Sequence, residues 1–276
     1  QTLPCYTFIR MLVSLILYLT TLFFSVPGHE GEKFRFPYKL DKPSHETFLP
    51  GILHEISGIT MINDNTFACV QDENGVVFYY DMSKDEIVKQ IAFAYDGDYE
   101  GIAKVKNSLY ILRSDGDLFE IPDVNDASKS SVYYDNDLNS GEYEGLCYDK
   151  ANNRLLVAAK GKVDDEDRID RMIYSFSLQT KRMEKKPAFA FNIGRVTQFA
   201  AKHGVVEPYK FTKKGNVRPN LTKFRTSEIA LHPLTGEMYV LAAEDYMLFV
   251  FDREGEIIYT RKLDEENFNQ AEGLTF

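Results

Sequence analysis

The chain has 276 residues and a formal net charge of −10. Such a surface repels nucleic-acid phosphates, so nucleic acid is not an expected partner. Cys5, Cys69 and Cys147 stand far apart, which argues against a disulfide framework, and no CxxC, HExxH or Cys/His cluster suggests zinc. Cys69 and Cys147 read as buried, inert thiols.

Residues 11–26, MLVSLILYLTTLFFSV, form an uninterrupted apolar run behind Arg10. A spanning helix needs about 20 such residues. The run suits the apolar core of a secretory signal, with Val26-Pro27-Gly28 near a possible cleavage point. An uncleaved membrane anchor is the other reading. Residues 1–28 are assigned to this signal peptide or signal anchor and 29–276 to one domain outside the cytoplasm. HEGEKFRFPYKL follows, and Phe34, Phe36 and Tyr38 alternate as in a strand.

A short motif then recurs. Glu100-Gly101-Ile102, Glu144-Gly145-Leu146 and Glu272-Gly273-Leu274 are its clear copies, and Ser57-Gly58-Ile59 and Ser227-Glu228-Ile229 are degenerate ones. From Gly58 through Gly101, Gly145 and Glu228 to Gly273, the middle residues are spaced by 43, 44, 83 and 45 positions. A fixed period in this range is the mark of a repeat architecture. Within each period the order is constant: a motif strand (EGIAKV), a second strand (SLYILRS), a polar turn, an aromatic-rich strand (DLFEIP) and an outer strand (SVYYDND). Four short strands per repeat predict an all-β propeller with four-stranded antiparallel blades. Five motif copies predict five blades, the last truncated at the C-terminus. The strand at Phe34–Tyr38 is expected to close the ring.

The double-length step holds one blade plus an insertion at about 194–225. GRVTQFAAKHG predicts a short helix closed by Gly204. Residues 208–225 carry Lys210, Lys213, Lys214, Arg218, Lys223 and Arg225 without an acid. This basic stretch reads as a solvated loop, an anion or protein-partner contact, or a lid. VDDEDRID, residues 163–170, reads as a solvated hairpin tip rather than a metal site.

The innermost strand of each blade lines a propeller's channel, so Glu100, Glu144 and Glu272 are expected around one point. Converging carboxylates repel unless a cation or protons compensate. Calcium fits best, because it takes oxygen ligands in irregular geometry. Equally open is that each glutamate accepts hydrogen bonds from a neighbouring blade. The turns after the second strands, including Asp72, Ser114 and Lys160-Gly161, are expected at the other end of those strands and read as turn chemistry. The histidines form no triad, and no nucleophile elbow surrounds Ser57 or Ser227.

HEISGIT, FACVQDENG, YEGIA, YEGLCYD with LLVAAK, SEIALHPLTGEMYVL and QAEGLTF, in that order, resemble the SdiA-regulated, YjiK-like family of bacterial proteins. The resemblance implies a five-bladed propeller distantly similar to NHL-repeat proteins, at the periplasmic or extracytoplasmic face of the plasma membrane, with a calcium site and no assigned catalysis. Carried over by motif position, the channel residues are Glu100, Glu144 and Glu272. Ser57 and Ser227 stand where glutamate would be, and Glu228 is shifted by one place. The expected function is a non-enzymatic, calcium-binding module for binding or signalling at the cell envelope. Two alternatives stand beside it. One is a calcium-dependent hydrolase of the lactonase or phytase type. The other is a scaffold that holds a protein partner through residues 208–225, its calcium purely structural.

Overall fold

The computed structural model describes residues 34–126, 129–138, 141–162 and 169–276. The apolar run at 11–26 and residues 163–168 of the charged tip lie outside them. The chain divides into two units, Gln1–Tyr38 and Lys39–Phe276. In the first, described from Phe34, the rings of Phe36 and Tyr38 meet edge to face at 5.5 Å. No strand forms among its described residues. The expected ring-closing strand is therefore not made, and Pro37, which brings no N–H to a ladder, sits in the middle of the alternation.

The second unit is an all-β propeller with one α-helix among its described residues. Its strands follow the chain as antiparallel meanders. The first sheet is β1 (Ile56–Asn63), β2 (Thr66–Gln71), β3 (Val76–Asp81) and β4 (Glu86–Ala92). The second is β5 (Tyr99–Val105), β6 (Ser108–Arg113), β7 (Leu118–Ile121) and β8 (Val132–Tyr134). The third is β9 (Tyr143–Asp149), β10 (Arg154–Ala159) and β11 (Asp170–Ser177), whose outer edge pairs with both β12 (Arg182–Met183) and β13 (Phe189–Asn192). A helix, α1 (Ile193–Lys202), and a hairpin, β14 (Tyr209–Phe211) with β15 (Val217–Pro219), come next. The last sheet is β16 (Glu228–Leu231), β17 (Met238–Ala242), β18 (Met247–Phe251) and β19 (Ile257–Lys262).

Second and third strands are buried along their length. They read as continuous apolar runs such as Met238–Ala242, fully buried, rather than as alternating patterns. Outer strands such as β4 are largely exposed. The core lies in layers between blades. Ala68, Val70 and Tyr79 of the first sheet meet Leu109 and Ile111 of the second. Leu112 and Tyr110 meet Leu155 and Phe176 of the third. Leu156 and Ile173 meet Val240 and Phe249 of the last. Cys69 and Cys147 are free, buried thiols, as expected.

The expected fifth blade is not present as a sheet among the described residues. Its motif copy runs as an extended segment between the last sheet and the first. Ser227 donates from its Oγ to the Ala271 carbonyl at 2.9 Å, and the Met61 N–H donates to Thr275 Oγ1 at 3.2 Å. A cavity of about 140 Å³ on the axis is lined by residues of all five inner segments, among them Thr60, Ala103, Cys147, Ala230 and Thr275.

The predicted helix forms, and residues 209–219 add a hairpin within the stretch that the sequence reads as a loop. Asn192 caps α1, accepting from the Arg195 N–H at 3.2 Å, and Gly204 follows the helix with φ +70°. Ile193, Val196 and Ala200 bury against the last sheet. The chain returns through Phe224, which is fully buried. Arg171 donates to the carbonyls of Phe224 and Lys223 at 3.0 and 2.8 Å.

Candidate functional site

The inner strands begin at one end of the channel, and there the first three motifs show the same irregularity. The pairing skips Ser57, Glu100 and Glu144, each of which is the extra residue of a β-bulge beside the glycine. A bulge re-aims its side chain and bends its strand. The following glycine lets inner strands touch. A Cβ on Gly58 would lie 2.8 Å from the Gly101 Cα, and one on Gly101 would lie 2.8 Å from the Leu146 Cβ.

The structure brings Glu100, Glu144 and Glu272 into one electrostatic cluster. Burial, then the Glu144 charge, Asp98 and Glu272, push Glu100 up to about 8. Burial pushes Glu144 up to about 7, against the opposing pull of Lys160 and with Glu272 and Glu142 adding to the rise. Glu272 is also raised by burial. The Lys160 ammonium acts on all three. Lys160 pairs with Glu144 directly and with Glu142 at 3.9 Å. Burial works against its charge, yet Glu144, Glu142 and Glu100 hold it above its ordinary value.

Sequence reasoning placed Lys160 in a set of turns away from the motif, and that placement is overturned. Antiparallel pairing puts the end of each second strand beside the start of the first. The N–H groups of Asp72, Ser114 and Lys160 accordingly donate to the carbonyls of Glu55, Asp98 and Glu142, just ahead of the three motifs. One structural position thus holds an acid in the first blade, a serine in the second and a lysine in the third. Asp72 is raised by its burial and by Glu55 and Asp98.

The remaining motif residues tie blades together. Ser57 Oγ donates to the Tyr99 carbonyl at 2.6 Å, in the same way that Ser227 reaches Ala271. Glu228 is 1% exposed, and its Oε1 accepts from the Leu146 and Ile229 N–H groups at 2.9 and 2.8 Å. The blade-locking role open to all the motif acids is thus taken by Glu228. The root of the insertion reaches the same end. Thr226 N–H donates to the Lys160 carbonyl at 3.0 Å, and Arg225 pairs with Glu142 at 3.3 Å and Glu244 at 2.8 Å.

Carboxylate oxygens suit a hard ion such as calcium. As the side chains stand, no three His, Cys, Asp or Glu residues among those described are grouped closely enough to hold a metal ion. The Lys160 ammonium is placed on Glu144 instead.

The model of the SdiA-regulated family matches residues 37–276, which contain the whole cluster. The chain belongs to the SdiA-regulated family. No curated protein matches it. Among solved structures, this SdiA-regulated chain is similar to Myxococcus xanthus glutaminyl cyclase (16% identity, 76% of this chain and 71% of that one, TM-score 0.47). It is also similar to a chain of a nidogen/laminin complex (11%, 80% and 84%, TM-score 0.47) and to a streptogramin B lyase (13%, 80% and 87%, TM-score 0.40). No helix among the described residues is long and apolar enough to cross a membrane.

Proposed function

We propose that this domain is a non-enzymatic binding and signalling module of the bacterial cell envelope, on the extracytoplasmic side, which takes a cation where the motif glutamates meet. One observation supports the reading above the others. Glu100, Glu144 and Glu272 come from three separate inner segments, and the one ammonium of Lys160 leaves the cluster's acids raised. A binding role is favoured over catalysis because the described cluster pairs carboxylates with an ammonium and contains no nucleophile beside a base.

Calcium is the proposed ion, with Glu100, Glu144 and Glu272 as its ligands and Lys160 as its competitor for Glu144. Ser57 and Ser227 are secondary candidates whose hydroxyls already serve neighbouring carbonyls. We also propose a fifth blade, because the 271–276 segment lies between β16 and β1 as an inner strand would.

Calorimetric titration of calcium into the protein tests this reading. Heat of binding is expected, and it should be lost in the Glu100→Gln, Glu144→Gln double variant. No binding at millimolar calcium, or binding unchanged in that variant, removes the calcium claim. Turnover of lactones or phosphate esters that vanishes with a chelator would replace the binding reading with the hydrolase one.

A further inference from the structure

The hairpin β14–β15 carries two features that the channel mouth does not use. Tyr209 and Phe211 share one face of β14, with Pro219 and Val217 directly opposite on β15. Tyr209 is 63% exposed, Phe211 77% and Val217 60%. An uncovered aromatic face of this kind marks an interaction surface. The second feature is charge. Lys210 lies directly opposite Arg218, and like charges in that position destabilise a ladder unless an anion compensates. At the tip, Lys213 and Lys214 ride a turn closed by the Gly215 N–H donating to the Thr212 carbonyl at 2.9 Å, with Gly215 at φ +80°. Lys223 and Arg225, at the root, pair with Glu244 and Glu142. Among the described residues, Lys210, Lys213, Lys214 and Arg218 have no such carboxylate partner.

The hairpin's connections are firm while its own faces are uncovered. Thr197 and Thr222 share a hydrogen bond at 3.1 Å, and Asp245 accepts from the Lys223 and Phe224 N–H groups at 3.1 and 2.6 Å. The cations stand on a protein whose net charge is −10. An anionic surface repels the molecule as a whole and attracts it here.

We propose that this hairpin docks tip-first on a membrane surface bearing anionic phospholipid headgroups. Lys213 and Lys214 meet phosphates, and Phe211 and Val217, the pair nearest the tip, enter the headgroup boundary. Aromatic side chains favour that boundary, and lysines beside an anionic leaflet add attraction that falls off within a Debye length. A protein partner needs acidic and apolar groups in matching places. A lipid surface supplies both everywhere, which suits a three-residue strand pair with no groove.

The chain contains no tryptophan, so Phe211→Trp places a single reporter on the hairpin. The 276-residue variant is mixed with vesicles of phosphatidylcholine alone or of phosphatidylcholine with phosphatidylglycerol. The reporter is local, so attachment through the N-terminal apolar run does not mimic the result. On the anionic vesicles at low salt the emission should shift to the blue and be quenched by brominated lipid. High salt should reverse the shift, and adding Lys213→Glu and Lys214→Glu should abolish it with the melting temperature unchanged. Emission that stays that of a water-exposed indole on anionic vesicles overturns the proposal. So does an equal shift on neutral vesicles, or a shift produced by lipid-free protein extracts and not by vesicles.

Discussion

Glu228 accepts the Leu146 N–H of the neighbouring blade at 2.9 Å and its own neighbour's N–H, from Ile229, at 2.8 Å, both on Oε1. Its Oε2 is buried with no hydrogen-bond partner among the described residues. Burial holds this carboxyl well above the ordinary carboxylate range despite the two donors, and Glu144 and Glu100 push the same way. A buried carboxyl is therefore the blade staple, at the point where two inner strands converge.

Glu228→Gln keeps the accepting oxygen but sets amide N–H donors where Oε2 has no partner, so it should cost on the order of 1 kcal/mol at neutral pH. Glu228→Ala orphans two buried N–H groups and leaves a cavity, at a cost of about 2–4 kcal/mol. Urea denaturation of the two variants measures the difference. Equal losses in both would refute the staple role of the accepting oxygen.

Lys160 is the counter-charge of the motif cluster. Lys160→Met leaves Glu144 buried with no ammonium beside it and should cost about 1–3 kcal/mol near neutral pH, since breaking a buried pair costs more than a surface one and this lysine is partly screened. Adding Glu144→Gln should recover most of the loss. A thermal-melting double-mutant cycle with no coupling between the two sites would count against the pairing.

Glu100 and Glu144 are raised to about 8 and about 7 from a common ordinary value of 4.5. The native state then binds more protons than the unfolded chain between those limits, so unfolding releases protons and stability falls as pH rises. Their contribution is fully present below the unfolded value and is lost as pH climbs through the folded values. Melting temperature should decline from mildly acidic to mildly alkaline pH, and Glu100→Gln should flatten that slope. A slope unchanged in the variant would show that other groups set it.

Gly58 faces backbone across the blade junction. An added Cβ would meet the Gly101 Cα at 2.8 Å and the Glu100 carbonyl and Ile102 N–H at 3.0 Å, so no side chain can move aside. Gly58→Ala should destabilise by about 1–3 kcal/mol through overpacking. Gly161→Ala, with nothing within 4 Å of the new methyl, is the control, expected within about 0.5 kcal/mol. Guanidinium unfolding of the pair checks both.

Much of the architecture was legible in one dimension. Repeated Ser/Glu-Gly motifs marked the inner strands, and the interior order of each repeat matched the sheets. The helix at Ile193–Lys202 answers to the one expected over 194–204, closed by Gly204. Phe34–Tyr38 misled, because aromatic alternation outweighed Pro37 in the reading. Residues 271–276 carried the signal of an inner segment but not its place beside β1.

Sequence by itself determined the period, the antiparallel blade order and the three acids to watch, because these depend on local pattern and covalent spacing. It also isolated the basic insertion, whose exposed aromatic face is a matter of strand register. Only the tertiary structure decided which charges meet. Hairpin pairing carries Lys160 back to Glu144, ring packing brings Glu100 and Glu272 to the same mouth, and a one-residue shift buries Glu228 as a staple. Long-range electrostatics depends on distances through space, which no spacing along the chain contains.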